Sequence, residues 1–504
     1  MDPAFWHTKK NHKFIQNIDT FYYSIKLKED FRADSIDSAV NGLRDFLDNF
    51  ELANGSDSLL LGSWTVFHRP GSFAGIYKFR FECPEKFDFF IAPSVPAYAG
   101  AESKTSEFVL QLRSRFLWEK GAALAFKESF EFVEEFCKAF DLHIVEVKEN
   151  RSDFCWHTNA IQAPEKFFAA EKFHKMFVGQ VGIDKETKKH SMMQRFVFDQ
   201  ETLENDYIAL GARGQRCFVR IYLKSKEVVQ QGYKGWFFYI WFYQGLISRY
   251  DMFCLEAAYK VRNWLYLDVA RLQFALQYMD LDKSTINEIK SLIDGKTSGF
   301  DYKAISKLAK KITPEVTKIV NIEFQCMRAM TRTFELIHFK NNEGVTSRIY
   351  DFFDNRALIT EYLTRKTMRL TRLDSTDSNI SRREDCDFWK RLRACKGIDI
   401  YLDKHNLHLC RKYSSNLDMS VRKKKAVRAI SSVAYALTHN VNTSIYEDAA
   451  DLLALLNDND LKDLEIYKAA LAKRKQFETP PEAVRFRQVG MFDTVTGEFY
   501  NVAI

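Results

Sequence analysis

The sequence predicts an α+β fold, in which a mostly antiparallel β-sheet core carries flanking helices, a helical insertion and a helical C-terminal region. Three observations predict it. Stretches with partial apolar–polar alternation recur up to about residue 158 and return near 206–226 and 321–328. Amphipathic helical spacing interrupts them early in the chain. Helical spacing then takes over at 244–311 and from about 345 onward. Hydrophobic residues make up 46% of 504 residues, enough for a sizeable core and, as a prior, for two to four domains.

Taken in order, residues 14–31 read as a strand, because apolar and polar side chains partly alternate there. Ile36, Val40, Leu43, Phe46 and Leu47 recur at helical spacing and predict a helix. Strands return at Leu59–His68, Gly75–Cys83 and Glu107–Arg113. A helix follows over Gly121–Phe140, where Ala125, Phe126, Phe130, Phe132, Val133 and Phe136 form its apolar side. Next comes a strand ending in Arg151–Thr158. Asp206–Lys226 predicts a strand or hairpin, and Gly235–Tyr243 another strand. From Gln244 to Lys311 the spacing is helical, Asn321–Arg328 returns to strand, and 415–475 reads as helix. The expected organisation is a core of 1–243 with 312–340, a helical insertion at 244–311, a helical continuation at 341–412 and a helical region at 413–504.

Composition narrows the classes. Lys plus Arg exceed Asp plus Glu by 74 to 67, a net +7 that permits a nucleic-acid partner without demanding one. The basic run Arg422, Lys423, Lys424, Lys425 and Arg428 is one place where the excess gathers. Aromatic residues reach 15%, with 44 Phe, a surplus that AT-rich codon usage explains as readily as base stacking does. Nine scattered cysteines with no Cys-x-x-Cys pair point to reduced thiols rather than a disulfide framework or a zinc knuckle. The first residues lack a basic segment followed by an apolar one, and the longest aromatic run, Trp236–Tyr243, is far too short to span a bilayer. A cytoplasmic protein with no membrane partner is therefore expected. There is no G-x-x-x-x-G-K-[S/T] phosphate loop, so a helicase activity would have to come from a separate protein.

Three strands carry the chemistry. Period-two alternation over Phe218–Lys224 puts Arg220, Tyr222 and Lys224 on one face and Val219, Ile221 and Leu223 on the other. Arg forks onto phosphate oxygens, Lys adds charge, and both favour a phenolate over a phenol whose ordinary pKa is about 10. An ordinary half-exposed strand shows the same pattern. In Arg151–Thr158, alternation groups Asp153, Cys155 and His157 away from Phe154 and Trp156. Asp with His is a ligand pair suited to Mg²⁺ or Mn²⁺, while a salt-bridged Asp and a packed His would read identically. In Asn321–Arg328, Glu323 and Gln325 share a face. No His-x-His occurs, and His405 with His408 reads as a surface pair.

These segments, in this order, resemble the replication initiation factor family, whose members start rolling-circle replication of plasmids and phages or serve as relaxases of integrative conjugative elements. Val109–Gly121 is similar to the family's Q-x-R-S-x-x-L-W-x-x-G, and includes Arg113; Arg151–His157 is similar to R-x-D-x-x-x-D. Gly211–Glu227 follows G-x-x-x-x-x-x-x-R-x-Y-x-K-x-x-E, and Ile322–Arg328 resembles R-x-E-x-Q-x-R. Tyr362–Leu370 with Asp387–Arg393 resembles the family's tryptophan segment, so the likeness spans about 15–395. The chain departs from the pattern in three places: His157 replaces the second Asp, Asn321 replaces an Arg, and about 80 residues are added between Lys224 and Glu323.

The resemblance implies a nuclease-like core in which Tyr222 is the nucleophile, assisted by Lys224 and Arg220. It implies a divalent Mg²⁺ or Mn²⁺ held by Asp153, Glu323 and His157. The reaction would nick and rejoin one strand of origin DNA, leaving a 5′-phosphotyrosyl link and a free 3′-OH. Arg113, Arg328 and the 422–428 cluster are expected DNA contacts. The insertion suits origin recognition, dimerisation or binding of a host helicase, and its residues do not choose among these. Two other classes stay open: a non-cutting, sequence-specific DNA-binding protein of the same fold, and an RNA- or single-strand-binding protein whose aromatic sheet stacks bases.

Overall fold

The computed structural model describes residues 12–28, 42–43, 45–49, 58–92, 106–161, 163–167, 176–179, 207–211, 216–294, 299–332, 334, 336, 339–340, 345–372, 377, 379 and 382–397, and beyond them 407–409, 447, 491–493 and 499–500. They form an α+β fold dominated by one twelve-stranded, almost wholly antiparallel sheet. The chain divides into two units, 1–332 with 336–409, and 333–335 with 410–504. In the second unit, Met491–Asp493 pairs antiparallel with Phe499–Tyr500.

The first unit opens with β1 (Phe14–Leu27), then β2 (Ser58–Leu61), β3 (Trp64–Arg69), β4 (Phe79–Cys83), β5 (Phe87–Ile91) and β6 (Phe108–Leu112). Helices α1 (Ser114–Lys120) and α2 (Ala122–Ala139) lead into the long β7 (Ile144–Thr158). The hairpin β8 (Tyr207–Leu210) and β9 (Cys217–Leu223) runs into α3 (Lys224–Gln231) and α4 (Phe237–Tyr243). Four more helices follow, α5 (Arg249–Lys260), α6 (Tyr266–Tyr278), α7 (Lys283–Ile293) and α8 (Tyr302–Ile312), before β10 (Val320–Met327) returns to the sheet. Short helices α9 (Ile349–Asp354), α10 (Arg356–Tyr362) and α11 (Asp387–Arg393) follow. The sheet order is β2-β3-β4-β5-β6-β1-β7-β10-β9-β8. A short strand, Thr346–Ser347, runs parallel beside β7 and pairs antiparallel with a second, Phe339–Lys340.

One sheet face is the core. Phe21, Tyr23 and Ile25 of β1 share it with Phe108 and Leu110 of β6 and Phe87 and Phe89 of β5, and all are buried. Helix α2 lies on this face because Phe126, Phe132, Val133 and Phe136 recur at helical spacing and are buried. Phe89 meets Phe132 and Phe136 at centroid separations of 5.5 and 5.0 Å, in edge-to-face geometry. Farther along, Phe154 of β7 and Phe21 pack against Phe352 of α9. A buried carboxylate sits at the border: Glu149 accepts from Thr331 at 2.7 Å and from Arg348 Nε at 3.1 Å.

Helices α6 to α8 build their own core, with Val269, Leu272, Ile289, Ile293, Ile305, Leu308 and Ala309 buried together. Buried Arg271 ties α6 to the end of α8 by donating to Asp268 at 2.6 Å and to the Thr313 carbonyl at 2.8 Å. A Ser248–Asp251 capping box starts α5, and Asp282 and Asp301 cap α7 and α8.

Several expectations change. The strand read at Gly235–Tyr243 is the helix α4. Its aromatic run has no alternation; Phe237, Phe238 and Trp241 are buried while Tyr239 and Tyr243 are 51% and 80% exposed, as helical spacing requires. Lys224 is the first residue of α3 rather than the end of a strand. Strand β5 and helix α1 are additions; all five residues of β5, Phe-Asp-Phe-Phe-Ile, are buried, so no alternation marks it. The helix over 415–475 falls, but for Glu447, outside the described residues. Among the described residues no helix is long and apolar enough to cross a membrane.

Candidate active site

The second face of the sheet is polar over β1, β7, β10 and β9. Antiparallel register brings the alternating residues of three strands into rows. Arg220 lies opposite Glu323, which lies opposite Cys155. Tyr222 lies opposite Asn321, which lies opposite His157. Phe218, Gln325 and Asp153 form the next row. The face shared by Arg220 and Tyr222 thus meets the faces that carry Glu323 and Asp153 with His157.

Tyr222 is the hub. Its hydroxyl donates to Glu323 Oε2 at 3.2 Å and accepts from Lys224 Nζ at 3.2 Å and Asn321 Nδ2 at 3.0 Å. Lys224 reaches it from the first turn of α3, where Glu227 holds the ammonium at 2.6 Å. Arg220 forms an ion pair with Glu323 Oε1 and lies 5.5 Å from the Tyr222 ring centroid. The tyrosine is only 7% exposed. Burial holds its pKa well above the usual value of 10, against the opposing pull of Lys224. Lys224 keeps its charge: burial opposes it, but Tyr222, Glu227 and Asp19 carry its pKa well above the ordinary lysine value.

Asp153 lies one row away and is 1% exposed. Arg151 grips both its oxygens, Nε to Oδ1 at 2.8 Å and Nη2 to Oδ2. Burial pushes its pKa up to about 7; Arg151 opposes that, and repulsion from Glu323 adds to it. The side chains of Arg151 and Arg220 remain 28% and 23% exposed, so solvent meets guanidinium before it meets carboxylate.

His157 is fully buried beneath two aromatic helices. Trp118 of α1 stacks on it at 4.7 Å, Phe237 of α4 meets it edge-on at 4.9 Å, and Trp241 Nε1 donates to its Nδ1 at 3.0 Å. Burial, reinforced by Lys224, holds its pKa well below 6.5, so the ring is neutral. Beside it, a register shift between Ile18 and Thr20 singles out Asp19 in β1. The Asp19 carboxylate accepts from Ser114 and from Trp118 Nε1 at 2.9 Å. Burial opposes its charge, yet Lys234 and Lys224 with the Ser114 hydroxyl hold its pKa well below the usual carboxylate range.

A divalent metal does not fit this arrangement of donors. Among the described residues no group of three or more His, Cys, Asp or Glu side chains is close enough to hold one. Asp153 is engaged by Arg151, and Glu323 by Arg220, Asn321 and Tyr222. His157 already uses one ring nitrogen as an acceptor. The expected ligands lie on adjoining strands of one face, and Arg151 and Arg220 pair with the two acids.

The expected DNA contacts scatter. Arg113 is four strands from β9, roughly 19 Å at ordinary strand spacing. It is held by Glu82 at 2.7 Å and Asp88 at 2.9 Å. Arg328 follows β10 and reaches Glu146 at 4.0 Å. Arg422, Lys423, Lys424, Lys425 and Arg428 lie outside the described residues. Sequence reasoning missed Asp19, Trp118, Lys234 and Trp241. The sequence carries no signal for these: the run Trp236–Tyr243 has no period, and the register shift that places Asp19 is visible only in the sheet.

No family model matches the chain, and neither does any curated protein. Among solved structures it is similar to a rolling circle replication initiator protein from Geobacillus stearothermophilus, at 10% identity and a TM-score of 0.28. The match covers 76% of this chain and 96% of that one.

Proposed function

We propose that this chain nicks and rejoins one strand of DNA by tyrosine transesterification, as an initiator of rolling-circle replication or a relaxase does. The observation that carries the reading is the Tyr222 hydroxyl, within hydrogen-bonding reach of Glu323, Lys224 and Asn321 on segments that resemble the replication initiation factor family.

The roles follow from the direction of those bonds. Glu323 accepts the phenol's hydrogen bond and is positioned to take its proton as the oxygen attacks phosphorus. The Tyr222 O–P bond forms and the P–O3′ bond breaks, so the 3′-oxygen leaves and is protonated. The number of phosphodiester-type bonds is unchanged, and the strand can be rejoined by the reverse step without ATP. Lys224 stabilises the developing phenolate. Arg220, partly exposed and bound to Glu323, exchanges its carboxylate for a phosphate oxygen when DNA arrives. That exchange frees Glu323 to act as base and opens the cover over Tyr222.

A second reading has its own support. Burial of Tyr222 and its raised pKa favour a DNA-binding protein of the same fold that does not cut. One assay separates the two: incubation with a randomised single-stranded oligonucleotide pool labelled at its 3′ end, followed by denaturing electrophoresis. Cutting transfers the label to a protein band that survives SDS, and Glu323→Gln lowers the rate by about 10²-fold or more. Retention of the pool on a native gel with no label on denatured protein overturns the nicking reading.

A further inference from the structure

On the basis of that reading, we propose that the site engages a phosphodiester through fixed side-chain donors rather than a divalent metal. His157 Nε2–H, Arg220 and Lys224 are those donors, and Trp241 is the positioning residue that fixes His157 as one.

Two buried nitrogens on this face lack a protein partner, His157 Nε2 and Arg220 Nε, while the Asn321 Oδ1, also unpartnered, is an acceptor that a phosphate oxygen does not satisfy. They belong to neighbours in the sheet, since Asn321 is in register with both His157 and Tyr222, and Arg220 with Glu323. Unpartnered polar atoms in so buried a setting are costly and mark a place where a ligand is expected. The form of the imidazole follows from its other nitrogen. An indole N–H is a donor only, so at 3.0 Å from Trp241 the His157 Nδ1 must offer a lone pair. A ring with a free lone pair at Nδ1 carries its proton at Nε2. An Nε2–H cannot ligate a metal, but it can donate to a phosphate oxygen. The ring cannot readily turn, because Trp118 stacks on one side of it and Phe237 closes against it edge-on.

Charge points the same way. Asp153 and Glu323 could hold a metal only if two guanidinium groups, Arg151 and Arg220, gave up their ion pairs. Arg220 and Lys224 already supply the positive charge that a metal would bring to the developing negative charge. Trp241 belongs to the segment that separates the family-like strands. That segment therefore contributes directly to the site.

The test uses the full chain and has two readouts apart from activity. Mn²⁺ is titrated alone and followed by electron paramagnetic resonance. The expected result is equal binding by the wild type and by Asp153→Asn and Glu323→Gln; a Mn²⁺ site lost in either variant overturns the proposal. Histidine-selective ¹⁵N NMR, with the His157 signals identified by their absence in His157→Gln, should give a neutral Nε2–H ring that becomes a mixture of tautomers in Trp241→Phe. An Nδ1–H ring, or no change in Trp241→Phe, overturns it.

In the labelled-pool assay, adduct yields in EDTA and in Mn²⁺ should agree within about twofold. His157→Gln, which keeps an amide N–H near that position, should retain at least about a tenth of the rate, whereas His157→Phe should lose about 10²-fold. Adduct that needs Mn²⁺ overturns this inference and leaves nicking intact. Adduct in neither buffer overturns both.

Discussion

Replacing Asp153 with Asn should remove a pH-dependent strain from the folded state. In the fold, this carboxyl titrates near 7 against an ordinary value of 3.8, chiefly because it is buried, with Glu323 adding repulsion. The folded chain therefore binds this proton more tightly than the unfolded chain. The stability it contributes is fully present below about pH 3.8 and is lost as pH rises through about 7. Over that interval, at about 1.4 kcal/mol per pH unit, the loss amounts to about 4 kcal/mol as an upper figure. The assay is urea unfolding followed by tryptophan fluorescence, which reports the first unit because all eight tryptophans lie in it. Each variant is measured from pH 4.5 to pH 8.5. Asp153→Asn should cost stability at low pH, where the protonated acid is well housed, and regain several kcal/mol relative to wild type by pH 8. Titrating groups remote from Asp153 cancel in the difference between the two proteins, whereas Glu323, which repels it, shifts with it. A difference that stays flat to within about 1 kcal/mol across the range would refute the reasoning. Asp153 would then be a settled ion-pair partner of Arg151 rather than a group poised near neutrality.

Other outcomes follow from contacts elsewhere. Glu149→Gln leaves the buried guanidinium of Arg348 without its countercharge, and should cost about 3–5 kcal/mol in urea or abolish accumulation of folded protein. Ser248→Ala removes the hydroxyl of the capping box at the start of α5, and should cost about 1 kcal/mol without changing metal or DNA binding. Gly232 ends α3 at φ +64°, and a Cβ there would meet the Arg262 side chain at 2.3 Å. Gly232→Ala should therefore destabilise by about 1 kcal/mol or more, read as a lower urea midpoint.

The fold class and the composition of the polar face were legible because alternation in β7, β9 and β10 is regular. Val219 and Ile221, like Phe154 and Trp156, are buried on the side opposite Arg220, Tyr222, Asp153 and His157. With antiparallel register, those patterns are enough to bring Tyr222 and Glu323 together. Patterning could not reveal which partner each charge takes. Arg151 and Arg220 are near in sequence or register to the acids they neutralise, yet the same spacing serves equally well for two metal ligands. Alternation puts Lys224 in the right neighbourhood, yet it reaches the tyrosine from a helix rather than along the strand. The run Trp236–Tyr243 reads equally as strand or helix because eight consecutive large apolar residues carry no period, and its burial pattern emerges only when α4 packs on His157. Asp19 stands in a strand whose alternation would give it an ordinary place; the register shift beside it, not its residue type, sends it under α1.

Chemistry at the phenol of residue 222 can be read directly by locating the bond it forms. Wild-type protein reacted with the single-stranded pool, then digested with nuclease and trypsin, should yield one nucleotide-bearing peptide with the phosphate on Tyr222, and Tyr222→Phe should yield none. A nucleotide attached to a different residue, or an equal yield from Tyr222→Phe, would contradict the account.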